Sequence, residues 1–466
     1  MTPVATPSTE SSFVAVPRPL PRLAIIGRGF SGLMTAIALL RDYRRPFRLV
    51  MFDPAPRIFG GETLSQPTTT LLNTRVRDLS LDPALPEDFR DWLKGNGAAA
   101  GKAVPINDGE RLDHRFVSRE IFSAYAYQRF SEALQQRPDA EVKVLSDAVA
   151  SIDRPGAAGI TVTTLDRERH VFDAVYLATG FGLREAGVET ATTEPVREAL
   201  VIGQGVHAVD GALKLLSLGE ARHVTLITRS RFLPRAHAQK AIGSVQPDRP
   251  LPGTLRTAFR FLREAAGKAE ADGTGWQGIM NGFRQNAREL WYRLTPEERS
   301  RFKRHVKPIY DSHRNRLPID HHRRLTQALE DGTISLKRGK VERIARNGVL
   351  ISGPDGMEVV SAERVLDCRC RPLDPDAPLY RQLLAGGLVC RDELGLGVMV
   401  DPAGRALTAS GDFHGLFAMG PLGLGSLPDI DLVPEIVLQA HASIAALADW
   451  MDAREAETPR MVRAAN

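Results

Sequence analysis

The chain has 466 residues, more than a single hydrophobic core usually organises, so two or three domains are expected. Its 43% hydrophobic and 25% charged residues are ordinary for a globular protein, and no apolar run approaches the roughly 18 residues that a membrane-spanning helix needs. The formal net charge of +5 is modest and the arginines are scattered rather than interleaved with aromatics, which argues against a nucleic-acid partner.

Residues 1–20 are rich in Pro, Thr and Ser and lack a basic start followed by an apolar stretch. They read as a disordered tail rather than a secretory signal. Leu23 to Ile26 then form an apolar run, as expected of a buried parallel strand. Gly27-Arg28-Gly29-Phe30-Ser31-Gly32 follows at once, and Leu33 to Leu40 reads as an apolar helix. Strand, G-x-G-x-x-G and helix in this order form a dinucleotide-binding fingerprint. Gly27 permits the tight turn, Gly29 lets a pyrophosphate approach the backbone, and Gly32 lets helix and strand pack closely. Phe30 and Ser31 open the helix, whose free N–H groups and positive dipole end favour phosphate. The next strand, Phe47 to Phe52, ends in Asp53, 26 positions after Gly27, where a carboxylate accepts hydrogen bonds from a ribose diol.

A second unit repeats the first. Ala199 to Ile202 is a short apolar strand, followed by Gly203-Gln204-Gly205-Val206-His207-Ala208 and a helix through Leu218. Ala208 stands in the place of the packing glycine. The next strand, His223 to Thr228, ends in Arg229-Ser230-Arg231, again 26 positions after the first glycine. Asp53 would repel a 2′-phosphate, whereas Arg229 beside Ser230 suits one. These residues assign FAD to the first unit and NADPH to the second. If Arg229 is only a solvated arginine, NADH serves instead. Each unit continues into strands that read as a β-meander, Val142 to Val171 and Ile334 to Val360, before a final apolar strand.

Together these features predict an α/β fold with two Rossmann-like dinucleotide-binding domains of the three-layer ββα type. The FAD domain takes residues 21–195 and a return from 376 to 466 that ends in a helix. The NAD(P)H domain takes 196–375 and carries a helical insertion at about 250–330, rich in Arg and bearing Trp276, Phe283, Trp291 and Tyr292. The insertion is either a lid over the cofactor cleft or a plain helical addition.

Ala178-Thr179-Gly180 and the run Gly415 to Gly420 resemble the domain crossover and the late flavin-proximal strand of two-dinucleotide-domain flavoproteins. Thr179, Gly180 and Gly420 thereby join the expected FAD contacts. Leu71-Leu72-Asn73, Phe116 to Arg119, His305 to Pro318 and Leu383 to Asp401 narrow the resemblance. They are similar to a bacterial family of FAD/NAD(P)-binding flavoprotein monooxygenases that includes urate hydroxylases and aspartate N-monooxygenases. The chain departs from that family's pattern at Pro428 to Leu432 and at Cys370. The resemblance implies a monooxygenase that takes O2 and a small polar, anionic, nitrogen-containing substrate. Urate, in purine metabolism, ranks first and amino-acid N-hydroxylation of the aspartate type second. An NAD(P)H:acceptor flavin oxidoreductase and a redox-sensing module are the alternatives.

The three cysteines, Cys368, Cys370 and Cys390, lie far from the first fingerprint, which disfavours a flavin disulfide reductase. They fit a reducing, cytoplasmic compartment without a disulfide framework. Cys368 and Cys370 are expected to end a buried strand, and no metal site is expected. Phe181 to Leu200 lacks the F-x-G-x-x-x-H motif of Baeyer–Villiger enzymes. In a flavin hydroxylase the side chains mainly position substrate and exclude water, so no catalytic triad is required. Asn73 is a candidate flavin or substrate contact, or an ordinary turn residue. Arg75 and Arg77 are candidate anchors for an anion, or members of a solvated face. His313, Arg314 and Arg316 form a second basic group. Asp429, Asp431 and Glu435 are candidates for a general base on a substrate N–H, or caps for the following helix.

Overall fold

The computed structural model describes residues 20–55, 71–104, 111–154, 159–181, 194–240, 242–345, 347–354, 356–369, 373–374 and 376–463. The tail at 1–19 and Cys370 lie outside them.

The first unit opens with β1 (Arg22–Ile26), α1 (Phe30–Asp42) and β2 (Phe47–Phe52). It continues through α2 (Asp88–Gly95), α3 (Arg119–Gln135), β3 (Ala140–Leu145), β4 (Val149–Asp153), β5 (Ile160–Thr164), β6 (Arg169–Phe172) and β7 (Ala174–Leu177). Alternation along β1 builds the layers, because successive strand side chains point to opposite faces. Leu23 and Ile25 enter a core with α1 and α3, while Ala24 and Ile26 pack on the antiparallel meander β4–β6 through Ile152, Ile160, Val162 and Phe172. Helices on one face and a meander on the other make three layers.

The second unit repeats this on a smaller scale. Its first elements are β8 (Val196–Ile202), α4 (Val206–Ser217) and β9 (Ala221–Thr228). Strand β8 starts three residues before the apolar run, because Val196 to Glu198 pair along β9 although Arg197 faces solvent. Five insertion helices follow: α5 (Leu255–Ala271), α6 (Trp276–Gln285), α7 (Ala287–Arg293), α8 (Pro296–Arg301) and α9 (Lys307–Arg314). The unit closes with α10 (Ile319–Glu330), β10 (Ile334–Arg338), the meander β11 (Lys340–Ala345), β12 (Gly348–Gly353) and β13 (Gly356–Ser361), and β14 (Arg364–Asp367). Its parallel sheet runs β10-β9-β8-β14. Ala199 and Val201 face α4 and α10, while Leu200 and Ile202 face Val349 and Ile351 of the meander. Cys368 follows β14 directly and is half-buried rather than fully enclosed.

The chain then returns to the first sheet through α11 (Pro378–Ala385), β15 (Arg405–Leu407) and β16 (Phe413–Ala418). That sheet has the order β15-β16-β7-β1-β2-β3, with β16 parallel to β7. The rings of Tyr176 and Phe417 stack across this pairing at 4.5 Å. A last helix, α12 (Val433–Arg463), packs Ile436, Val437, Ala440 and Leu447 onto α1's side of the sheet.

The insertion belongs to the second unit in sequence but docks on the first in space. Its core of Phe283, Leu290, Trp291, Leu294 and Tyr310 takes in Leu394 from the return segment. Thr295-Pro296-Glu297-Glu298 starts α8 with both hydrogen bonds of a capping box. Pro308 has no N–H to continue the helical ladder, and a π-helical segment over Phe302–Val306 absorbs the break before α9. That arrangement carries Tyr310 and Arg314 into the interior, where both are buried. No helix among the described residues is long and apolar enough to cross a membrane.

Candidate active site

The first glycine turn has the geometry a dinucleotide requires. Gly27 has φ +101°, and a Cβ there would lie 2.5 Å from the carbonyl oxygen of Ala178 in the crossover. Gly29 caps α1 without a side-chain hydrogen bond, and the first turn holds no acidic residue, so Phe30, Ser31 and Gly32 present their N–H groups without local competition. Gly420, also at positive φ, meets Ser31 so closely that a side chain there would collide with the hydroxyl. Asp53 accepts from the N–H of Arg28 at 2.8 Å and of Ala55 at 2.9 Å. Each carboxylate oxygen keeps capacity for a ribose hydroxyl. Thr179 bonds the Tyr380 hydroxyl, and Gly180 turns the chain with φ +64°. These residues fit FAD along the carboxyl edge of the first sheet.

At the second turn Gly203 has φ +146°, and its ideal Cβ would lie 2.9 Å from that of Ala208. Alanine is tolerated at the third position because Gly203 has no side chain. Gly205 caps α4 without a side-chain bond. Gln204 accepts from the N–H and hydroxyl of Ser230 at 3.0 and 3.1 Å, which holds Ser230 over the turn. Arg229 and Arg231 are exposed on either side of it. This is a suitable cradle for a nucleotide carrying a 2′-phosphate.

A cavity of about 220 Å³ lies where the segment 73–78, the insertion and the start of α12 meet. Asn73, Arg75, Arg77, Arg314, Arg316, Asp429 and Glu435 line it, so most of the separately predicted polar residues converge there. His313 does not line it and packs on the Trp276 ring instead. Asp431 stands behind the wall, bonded to Arg314 at 3.2 Å.

The lining residues differ in what holds them. Arg75 donates to the carbonyls of His114 and Ala238, and Arg77 to that of Ile242, so both tie the segment after β9 to the first unit. Asp429 adopts φ +63°, a conformation that non-glycine residues hold only when their surroundings enforce it. Arg314 bonds its carboxylate, the Tyr310 hydroxyl lies at 3.4 Å and Arg284 at 3.7 Å. Glu435 pairs with Arg288 at 2.6 Å, and burial raises its carboxyl above the usual range. Arg316 donates to two side-chain amides, Oε1 of Gln277 at 2.6 Å and Oδ1 of Asn281 at 2.5 Å. The Nε atoms of Arg284, Arg314 and Arg316 are buried with no hydrogen-bond partner among the described residues.

The cavity is therefore electropositive. Five arginines line it, against Asp78, Asp429 and Glu435. Burial, then Arg284 and Arg75, push the Arg316 guanidinium down to about 10. His237 responds to the same field: burial first, then Arg316, with smaller effects from Arg75 and Arg77, push its imidazole down to about 3. The neutral ring donates Nε2–H to the Asn73 carbonyl at 2.9 Å. Nothing in the sequence marks His237, Gln277, Asn281 or Arg284 as site residues, because they carry no motif and reach the cavity only through the packing of the insertion. Among the described residues no group of three His, Cys, Asp or Glu side chains is arranged to hold a metal.

Residues 24–182 match the model of a protein family described as FAD-NAD(P)-binding. No curated protein matches the chain significantly. Solved structures share the fold across almost the whole length. The ornithine hydroxylase of Pseudomonas aeruginosa in its reduced form has a TM-score of 0.59 at 15% identity, covering 93% of this chain and 100% of its own. The L-lysine 6-monooxygenase of Pseudomonas syringae has 0.59 at 17%, covering 92% and 99%. The ornithine N-hydroxylase of a Kutzneria species, solved with reduced FAD, NADP+ and L-ornithine, has 0.58 at 14%, covering 92% and 99%. At these identities the likeness is one of fold.

Two predictions follow from the charges. Arg314→Leu leaves Asp429 and Asp431 without their buried cation, so stability falls by about 3–5 kcal/mol in urea titrations. His237 titrates in the folded protein near 3 but in the unfolded chain at about 6.5. Below about pH 6.5 the unfolded state alone takes up this proton, so the stability present above that pH is lost as pH falls toward 3. The limiting slope is about 1.4 kcal/mol per pH unit. Denaturation between pH 7.5 and 5 is expected to show a shallower dependence in His237→Gln, and an equal slope would clear His237 as its source.

Proposed function

We propose that this protein is an FAD-dependent, NADPH-driven monooxygenase that N-hydroxylates a small amine bearing a negatively charged group. The observation that carries the reading is the electropositive cavity at the carboxyl edge of the first sheet, where ligands of open α/β sheets bind. Bound FAD, reduced by NADPH, would supply the oxygen-activating chemistry. The protein's own residues do the rest.

Arg316, held flat by two amide oxygens and with no carboxylate partner among the described residues, is the natural counter-ion for a substrate anion. The surrounding arginines disfavour a second positive charge, so an amine in the cavity loses its proton more readily than in water. A neutral amine has the free lone pair that N-hydroxylation requires. Asn73 and Glu435 line the same cavity and are placed to orient the amine end. The docked insertion forms one wall of the site through Gln277, Asn281, Arg284 and Arg316. A fold shared with ornithine and lysine hydroxylases supports the amine reading over the purine one. Urate is the second reading, because a purine anion suits the same cationic cavity.

The test is a purified, yellow holoprotein given NADPH with L-aspartate, L-ornithine, L-lysine or urate. One of them is expected to stimulate NADPH oxidation with matched O2 uptake, and an amine substrate to yield a hydroxylamine. Oxidation that requires an artificial acceptor and leaves O2 untouched would replace the monooxygenase with a reductase. Arg316→Met is expected to raise KM for the anionic substrate by about 10- to 100-fold, the worth of a charge-assisted hydrogen bond, with little change in flavin reduction. Arg229→Gln is expected to raise KM for NADPH by a similar factor of about 10 to 100 and to leave that for NADH unchanged. Equal effects on both nucleotides would remove Arg229 from 2′-phosphate recognition.

A further inference from the structure

A residue of the first unit reaches the second glycine turn. Arg119, the first residue of α3, places Nη2 3.5 Å from Nδ1 of His207 in the first turn of α4. The segment that carries it is firmly held. Leu72 donates its N–H to the carbonyl of Val117 at 2.8 Å and Val76 to that of Arg115 at 3.1 Å, so residues 71–76 and 115–118 run side by side. Phe116 and Val117 are buried, and the Ser118 side chain caps α3 by accepting from the N–H of Ile121.

The charges around this contact suit an anion. A helix N-terminus carries partial positive charge and favours anions over cations. Arg119 stands at the N-terminus of α3 and reaches that of α4, where Gly205 provides no capping side chain and the first turn holds no acidic residue. Glu120, beside Arg119 in α3, is exposed. In front of α4 the space is open, since a Cβ added to Gly205 would meet nothing within 4 Å. An anion seated there meets the free N–H groups of α4 on one side and a guanidinium of the other unit on the other.

The turn itself decides which anion. In a G-x-G-x-x-A unit the pyrophosphate lies at the helix N-terminus, while the residue closing the next strand faces the ribose. Arg229 and Ser230 stand at the ribose end, and Arg119 at the helix end, so the two arginines address different phosphates. A planar guanidinium can donate two parallel hydrogen bonds to phosphate oxygens. Its contact with His207 is at the outer limit of hydrogen bonding, which leaves it easily exchanged for such an oxygen.

We infer that Arg119 binds the pyrophosphate of NADPH from across the turn and ties the nucleotide of the second unit to the unit that holds FAD. The assignment rests on the reading of the second turn as the NADPH site, and on neither the oxygen chemistry nor the substrate.

Two nucleotide fragments separate this role from a structural one. ADP-ribose carries the pyrophosphate without a 2′-phosphate, and 2′-AMP carries the 2′-phosphate without a pyrophosphate. In calorimetric titration of the FAD-loaded protein, Arg119→Met is expected to weaken ADP-ribose binding by about 10- to 100-fold, the worth of a charge-assisted hydrogen bond, and to leave 2′-AMP binding unchanged. Arg119→Lys, which keeps the charge without the planar fork, is expected to lose less. KM is expected to rise by one common factor for NADPH and NADH in Arg119→Met, unlike in Arg229→Gln. Unchanged ADP-ribose binding overturns the assignment. So does an equal loss for both fragments, which would make Arg119 a structural clasp between the units. Loss of FAD from both variants would place the guanidinium in the first site and overturns it as well. A wild-type protein that binds neither fragment overturns it together with the nucleotide reading of the second turn. Fragment binding needs no turnover, so it stays readable if no substrate of the panel stimulates O2 uptake, the outcome that fails the monooxygenase reading alone.

Discussion

The arrangement depends on the buried cluster in which Arg314 of the insertion is clamped by Asp429 and Asp431 of the return segment. Removing these charges from water is costly, and the cost is met only while all three stay together. Arg314 rides on α9, whose position follows from the π-helical segment before Pro308. Asp429 is held at positive φ by the same contacts. The cluster therefore fixes the insertion, a sequence addition to the second nucleotide unit, onto the carboxyl edge of the first. The polar cavity exists because of that docking.

The charge balance at the interface sets the chemistry. Asp429, Asp431 and Glu435 satisfy Arg314 and Arg288, and Arg284 approaches the same Asp429. Arg316 is left with neutral amide partners. One interface thus provides a stabilising set of ion pairs and, beside it, a cation with room for a ligand. The depressed His237 imidazole is the internal sign of that excess charge. A neutral imidazole also keeps its hydrogen bond to Asn73, which ties the segment after β9 to the first unit. The apolar packing of the insertion shares this origin, because the same helices that bring in the arginine bring Phe283, Leu290 and Trp291.

The two nucleotide units could be read in the sequence because their signals are local. A strand of alternating or continuous apolar residues, a glycine turn and an amphipathic helix occupy one short stretch each, and the closing residues Asp53 and Arg229 follow at a fixed distance. Both meanders were readable for the same reason. The individual charged residues at 75, 77, 314, 316, 429 and 435 stood out as well, but as three unrelated basic or acidic groups. Their roles within the cavity were not readable. Arg75 and Arg77 hold backbone carbonyls, Asp429 is a hub for cations, and Arg316 is the cation left over.

By itself, then, the sequence determined the two-unit α/β plan and the opposed charges at the ends of β2 and β9, since backbone geometry and strand periodicity act over a few residues. Tertiary structure alone decided where the insertion lies and which arginine is held by side-chain amides. That outcome comes from segments near 75, 237, 280, 315 and 430, brought together only by burial of the insertion's apolar face. Electrostatic potential in a cavity is a sum over all of them, and no one segment carries it.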